Sequence, residues 1–139
     1  MGLAFNFFDC FKADIGLGVH NLHTGTLKIM LTDTAPVVTN TVKANITEIT
    51  PASGYSAGGA AVTSQSYTQT SGTAKLMGVG ATITAGAAIG PFRYAVLYND
   101  SATNDPLIGW WDKLSEITMA SSDTVQFILD ATNGILQVA

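Results

Sequence analysis

The pattern of apolar and polar positions changes its period near Gly25. Before this residue, apolar side chains recur at every third or fourth position from Ala4 to Leu22, as they do along one face of a helix. We therefore predict a helix from about 6 to 20, with Asn6 as its N-terminal cap. After Gly25, apolar and polar residues alternate, which is typical of strands that bury one face.

Alternating segments separated by short turns fill the rest of the chain. Ser71-Gly72 is interpreted as a turn, and Asn133-Gly134 is a strong two-residue turn signal. This spacing predicts a mainly β fold, an antiparallel β-sandwich or jelly-roll-like barrel of about nine strands with one N-terminal α-helix. The chain contains no linker and no internal repeat, so we expect a single domain over 1–139, with the β-domain at about 26–139. The predicted strands are 27–32, 60–70, 73–79, 81–85, 92–98, 106–112, 124–130 and 135–138, and 42–49 is predicted as another strand or a short extended segment.

The composition is poor in charge. Charged residues make up 12% of the chain, about half of the usual share. The net charge is −4, and the six Lys and Arg residues are spread along the chain. Because no basic patch is present, we expect neither nucleic acid nor an anionic membrane as a partner. So few charges favour a surface that is covered in an assembly, and we expect a homo-oligomer.

The N-terminal segment does not read as a targeting signal. It lacks a basic start and an uninterrupted apolar core, and no stretch approaches the ~20 apolar residues of a membrane-spanning helix. We therefore expect the protein to be made in a cytoplasm. The chain has one cysteine, Cys10, which excludes an intramolecular disulfide and is interpreted as a small buried apolar residue.

Residues that could carry out chemistry are few. His20 and His23 have a spacing that allows a shared metal ion, but the third ligand would have to be a distant carboxylate. We interpret both as residues of the last helical turn, where they interact with the helix dipole. The chain has neither a G-x-S-x-G elbow nor a P-loop lysine, and its aspartates lie mostly in turns. We predict no enzymatic activity, no metal and no cofactor.

The loop at 99–105, NDSATND, is rich in oxygen donors. Asn99, Asp100, Asn104 and Asp105 are spaced closely enough to suggest calcium binding. The EF-hand order of ligands is absent, however, and Asn and Asp are common turn-forming residues. We favour a turn and keep a calcium site as the alternative.

Residues 90–112 form the most aromatic stretch of the chain. Trp110 and Trp111 must face opposite sides of one strand, and Arg93 is placed to pair with Asp112 across a hairpin. Both faces of these strands are apolar, so we predict two central strands covered on each side. In the first strand we expect Phe92, Tyr94, Val96 and Tyr98 on one face and Arg93, Ala95 and Leu97 on the other. The candidate assembly or core residues of the chain are Phe8, Phe11, Phe92, Arg93, Tyr94, Tyr98, Trp110 and Trp111.

Several blocks of the sequence resemble one family of proteins. They are VHNL (19–22), TLKIMLTDTAPVVTNTV (26–42), ITEI (46–49), GYSAGG (54–59), GPFRYAVLYND (90–100), PLIGWWD (106–112) and DATNGIL (130–136). In these blocks the chain is similar to small structural proteins of tailed bacteriophages. Residues 60–89 and 113–123 match less well, and we expect them to form a variable surface or to select the partner.

The resemblance implies a capsid decoration, or cement, protein. Such a protein binds the outside of the major capsid shell and stabilises it, as a homo-oligomer for which we favour a trimer over a dimer. It would be made in the host cytoplasm and reside in the virion, on the capsid exterior. A component of the tail tube, head–tail connector or fibre base is the alternative. A further alternative is a carbohydrate-binding module, in which Trp110 or Trp111 stacks on the sugar.

Overall fold

The alternating segments form ten strands in antiparallel sheets, and one short helix precedes most of them. These elements belong to a computed structural model that describes residues 4–130 and 132–139. The predicted fold class, a mainly β, antiparallel sandwich with an N-terminal helix, is confirmed. In chain order the elements are β1 (Phe5–Phe7), α1 (Asp9–Gly16), β2 (Leu27–Thr32), β3 (Ala60–Ala61), β4 (Thr63–Thr70), β5 (Thr73–Val79), β6 (Thr82–Thr84), β7 (Ile89–Asn99), β8 (Leu107–Met119), β9 (Thr124–Gln126) and β10 (Leu136–Val138).

The strands are arranged in three sheets. The largest has the order β1-β8-β7-β2-β3, a second has the order β10-β5-β4, and β6 pairs with β9 in the third. Leu27 and Leu97 of the five-stranded sheet share one apolar cluster with Leu76 and Leu136 of the three-stranded sheet. The two sheets therefore pack face to face, which is the arrangement that buries the apolar side of each.

The other face of the five-stranded sheet is buried as well. Met30, Val96 and Tyr98 form a second cluster there, together with Phe8. The segment after β2 helps to cover this face, because Ile46 packs against the cluster. Strand β2 thus buries both of its faces, although its alternation indicates only one, because a loop covers the second face.

The loop at 54–59 is held against β2 by hydrogen bonds. The Tyr55 hydroxyl accepts a hydrogen bond from the Leu31 backbone N–H at 2.9 Å and donates one to Glu48 Oε1 at 2.7 Å. The Gly58 N–H donates to the same oxygen at 2.7 Å. Burial raises the pKa of the Tyr55 hydroxyl far above its usual value, so the group stays a neutral donor. This network explains the GYSAGG block as a structural element.

Several predicted elements have different bounds or different structures. At 42–49 the predicted strand does not form, and the alternative of a short extended segment is interrupted: Lys43–Asn45 forms a 3-10 turn, because the Asn45 side-chain oxygen accepts hydrogen bonds from the backbone of Thr41 and Val42. The helix is shorter than predicted, and strand β1 occupies the residues where the helix was expected to begin. Strand β1 forms because Phe5–Phe7 pairs with Gly109–Trp111 near the start of β8, a partner about a hundred residues away in sequence.

The predicted alternation in β7 fails at Phe92. Phe92 packs in a cluster with Leu31, whereas Val96 and Tyr98 belong to the cluster on the other face of the sheet. The pairing of β7 with β8 shifts register on both sides of Phe92. Such an irregularity turns a side chain away from the face that strict alternation assigns to it.

In the part of the chain that the structure describes, no helix could span a membrane. The helix there is too short to span a bilayer.

Candidate interaction surface

An apolar groove opens on one side of the sandwich, with a volume of about 610 Å³. One wall is aromatic and contains Phe5, Phe7, Tyr94 and Trp111 from the five-stranded sheet. The other wall comes from residues 125–130 and 133–137. We call this feature the groove. Its size and apolar lining are those of sites that bind partners or ligands in proteins.

The groove lies where each sheet ends. Strand β1 is the edge of the five-stranded sheet, and β10 is the edge of the three-stranded sheet. Each has only three residues, and residues of both line the groove. On this side, no element among residues 4–130 and 132–139 covers the apolar side chains and strand edges, which is a feature of association surfaces.

The rim of the groove is polar, and one ion pair dominates it. Arg93 donates hydrogen bonds to both carboxylate oxygens of Asp112, at 2.8 and 3.0 Å, which confirms the predicted pair. These bonds hold the pKa of Asp112 below its usual value and raise that of Arg93. Lys113, also at the rim, forms no ion pair among the described residues. Lys113 is therefore the rim cation available to a partner.

Strand β8 carries a bulge next to the groove. Phe92 pairs with Ile117 and Tyr94 with Asp112, so one residue of β7 stands opposite residues 113–116 of β8. We call residues 113–116 the β8 bulge.

Leu114, within the β8 bulge, is 72% exposed and has φ +72°. This backbone region costs a non-glycine residue roughly 1–2 kcal/mol. The chain thus holds a large apolar side chain in solvent in a strained conformation. Strain of this kind is concentrated at functional sites.

Four of the predicted core or assembly residues are packed within the fold. Phe8, Phe11 and Tyr98 are buried, and Trp110 is half-buried with its ring 4.6 Å from that of Phe8. Trp111 belongs to the inter-sheet cluster instead, so the two tryptophans do face opposite sides of β8 as predicted.

The other predicted residues meet at the groove. Phe92, Arg93, Tyr94 and Trp111 all line it, and the Phe5 ring packs edge-on against Trp111 at 4.9 Å. The prediction missed the facing wall, which includes Ile128 at 79% exposure. It also missed the exposed Leu114 in the neighbouring β8 bulge. Alternation alone indicates an inward or outward direction, but it gives no sign that a covering element is absent.

The two histidines do not share a site. The helix ends at Gly16, so the predicted placement of His20 and His23 in its last turn is wrong. His20 is buried, and its Nδ1 lies 3.2 Å from Asn99 Nδ2. His23 Nδ1 accepts a hydrogen bond from the Tyr67 backbone at 3.3 Å. The imidazoles therefore engage different partners.

His20 makes stability depend on pH. Burial lowers its pKa, and Asp14, 3.9 Å away from its Nε2, only partly opposes this effect. Because the folded state binds the proton less readily than the unfolded state, the stabilisation is complete above the unfolded pKa of about 6.5 and is lost as the pH falls below it. We expect the urea midpoint to decrease between pH 7.5 and 5.5. In the variant His20→Gln this part of the decrease should disappear, and an unchanged profile in that variant would contradict the assignment.

The loop at 99–105 uses its polar groups internally. Asn99 Oδ1 accepts hydrogen bonds from the backbone and hydroxyl of Ser101, at 3.0 and 2.7 Å, which is the turn that the sequence analysis favoured. Asp100 pairs with Lys28 at 3.1 Å. In the described residues no group of three or more His, Cys, Asp or Glu side chains is arranged to hold a metal ion. Cys10 is half-buried, and burial raises the pKa of its thiol.

Comparison of the chain with protein-family models, with curated proteins and with solved structures found no match.

Proposed function

We propose that the protein is a non-enzymatic structural component of a virion, a decoration protein that binds the outside of the major capsid shell and stabilises it. The sequence blocks that resemble small phage structural proteins support this function. The single observation that carries it is the groove, a large apolar and aromatic surface that opens to solvent. A protein whose role is to adhere to a shell needs such a surface.

The chemistry of the groove favours a polypeptide partner. Its aromatic wall offers large contact area, and aromatic residues contribute strongly to protein interfaces. The edges of β1 and β10 leave backbone groups that an extended segment of a partner can pair with. We infer that an extended apolar segment of the capsid protein enters the groove.

Binding to shells tests this function directly. Purified protein is mixed with expanded shells that lack it, and the bound amount is measured over a concentration series. We expect saturable binding, and Ile128→Asp on the lip of the groove should weaken it by about tenfold or more. Leu17→Asp is the matched control because Leu17 is 77% exposed and does not line the groove. The absence of saturable binding by the unmodified protein would remove the proposed function.

A different place in the virion is the alternative, and copy number separates the two. A decoration protein occurs in hundreds of copies per particle, whereas a tail-tube, connector or fibre-base component occurs in tens. Quantitative mass spectrometry of purified particles measures this ratio. Carbohydrate binding is less favoured because Trp110 and Trp111 lie on opposite faces of β8 and so do not form one stacking platform.

A further inference from the structure

Hydrogen bonds hold the β8 bulge in a defined conformation. Asp112 Oδ1 accepts a hydrogen bond from the Leu114 backbone N–H at 2.7 Å, and the same carboxylate is held by Arg93 through two hydrogen bonds. The ion pair thus anchors the backbone from which Leu114 projects. Because the side chain is largely in solvent, it contributes little buried apolar area to the fold of a single chain. A second surface that covers Leu114 would account for it.

The charges of the β8 bulge are arranged symmetrically about its centre. Lys113 and Glu116 are its ends, Leu114 and Ser115 lie between them, and all four residues are exposed. Neither Lys113 nor Glu116 forms an ion pair among the described residues. If two bulges align in opposite directions about a twofold axis, each lysine faces the glutamate of the other copy. The bulge is therefore complementary to itself in charge, as a twofold interface requires.

We propose that the β8 bulge is a self-association surface whose occupant is the bulge of a second copy of this chain. In this contact Leu114 is covered by its counterpart, and two Lys113–Glu116 ion pairs close around it. The inference goes beyond the proposed function, since it concerns the protein alone. It makes a dimer the smallest assembly, whereas the sequence analysis favoured a trimer. Four residues per chain are a small contact, so we expect micromolar affinity.

The experiment measures molar mass by sedimentation equilibrium from about 1 to 200 µM, a range that brackets micromolar affinity. We expect the unmodified protein to pass from monomer to dimer. Leu114→Asp should weaken association by about tenfold or more, because it places a charge at the centre of the contact. Leu17→Asp, at an equally exposed leucine elsewhere, should associate like the unmodified protein. A monomer throughout, a trimer, or equal effects of the two substitutions would overturn the inference.

Charge exchange gives a second readout that a general loss of folding cannot imitate. Lys113→Glu and Glu116→Lys each place like charges opposite one another, so each variant alone should associate more weakly. An equimolar mixture of the two variants places opposite charges together again, and it should form a heterodimer. The double variant K113E/E116K should recover self-association. If the mixture associates no better than either variant alone, the proposed pairing is wrong.

Leu114→Gly separates association from folding. Glycine adopts the observed φ without strain, so this variant should unfold no earlier than the unmodified protein while losing the dimer. If the variant remains a dimer, Leu114 does not form the contact. All of these measurements are made without shells. Their failure leaves the shell-binding test unaffected, and failure of shell binding leaves the dimer unaffected.

Discussion

Replacing Phe8 with alanine is expected to lower the free energy of unfolding by about 3–5 kcal/mol. Phe8 is 0% exposed and lies in the cluster that covers the outer face of the five-stranded sheet. Its ring packs 4.6 Å from that of Trp110, and its backbone N–H donates to the Ile108 carbonyl at 3.1 Å. Truncation leaves a cavity between β8 and the start of the helix, and the fixed backbone prevents its collapse.

Urea unfolding followed by tryptophan fluorescence measures this loss. Phe5→Ala is the matched control because Phe5 also packs against a tryptophan, Trp111 at 4.9 Å, but it is only half-buried at the groove. The control should lose clearly less stability, since less apolar surface returns to water. Equal losses in the two variants would mean that the outer cluster is not the better-packed part of the fold.

Replacing Gly59 with alanine is expected to destabilise the protein by about 3 kcal/mol or more. Gly59 has φ +81°, and an added methyl group would overlap the Ile29 carbonyl and lie 2.8 Å from Met30 Cα. Both atoms belong to the backbone of β2, an interior strand of the five-stranded sheet, so they cannot move aside without disturbing its pairing with β7.

Gly72→Ala isolates the steric part of this effect. Gly72 has φ +83° in the β4–β5 turn, and a methyl group there would meet no atom within 4 Å. We expect it to cost only about 1 kcal/mol, because the two variants share the left-handed backbone and differ in the clash. Thermal unfolding of both variants checks the difference. If Gly59→Ala is no worse than Gly72→Ala, the loop before β3 is not pressed against β2.

The predicted site was recovered in part, and the reason lies in the range of the interactions. Arg93 and Asp112 were paired correctly because both lie in one hairpin, although Asp112 stands opposite Tyr94 and bonds the neighbouring Arg93. Trp110 and Trp111 were assigned to opposite faces for the same local reason. The groove was not predicted, since its second wall is brought to β7 and β8 by the pairing of β9 with β6 and of β10 with β5. No pattern within 90–112 encodes those partners.

The same distinction applies to the exposed leucine. Residues 113–116 have no unusual local pattern. The β8 bulge arises because Phe92 pairs with Ile117 while Tyr94 pairs with Asp112, which leaves four residues of β8 opposite one residue of β7. The conformation of Leu114 follows from two strands that must stay paired at both ends while one of them has extra residues.

The sequence by itself determined the features that depend on near neighbours in the chain. Period-two alternation gave the mainly β fold and strands such as β2, β5 and β7, and Ser71-Gly72 gave the turn between β4 and β5, because pleat and turn geometry act over a few residues. Only the tertiary structure decided that Phe5–Phe7 is a strand, that 42–49 is not, and that one side of the sandwich stays open. Each of these depends on which distant segment covers which face, and that depends on the whole fold.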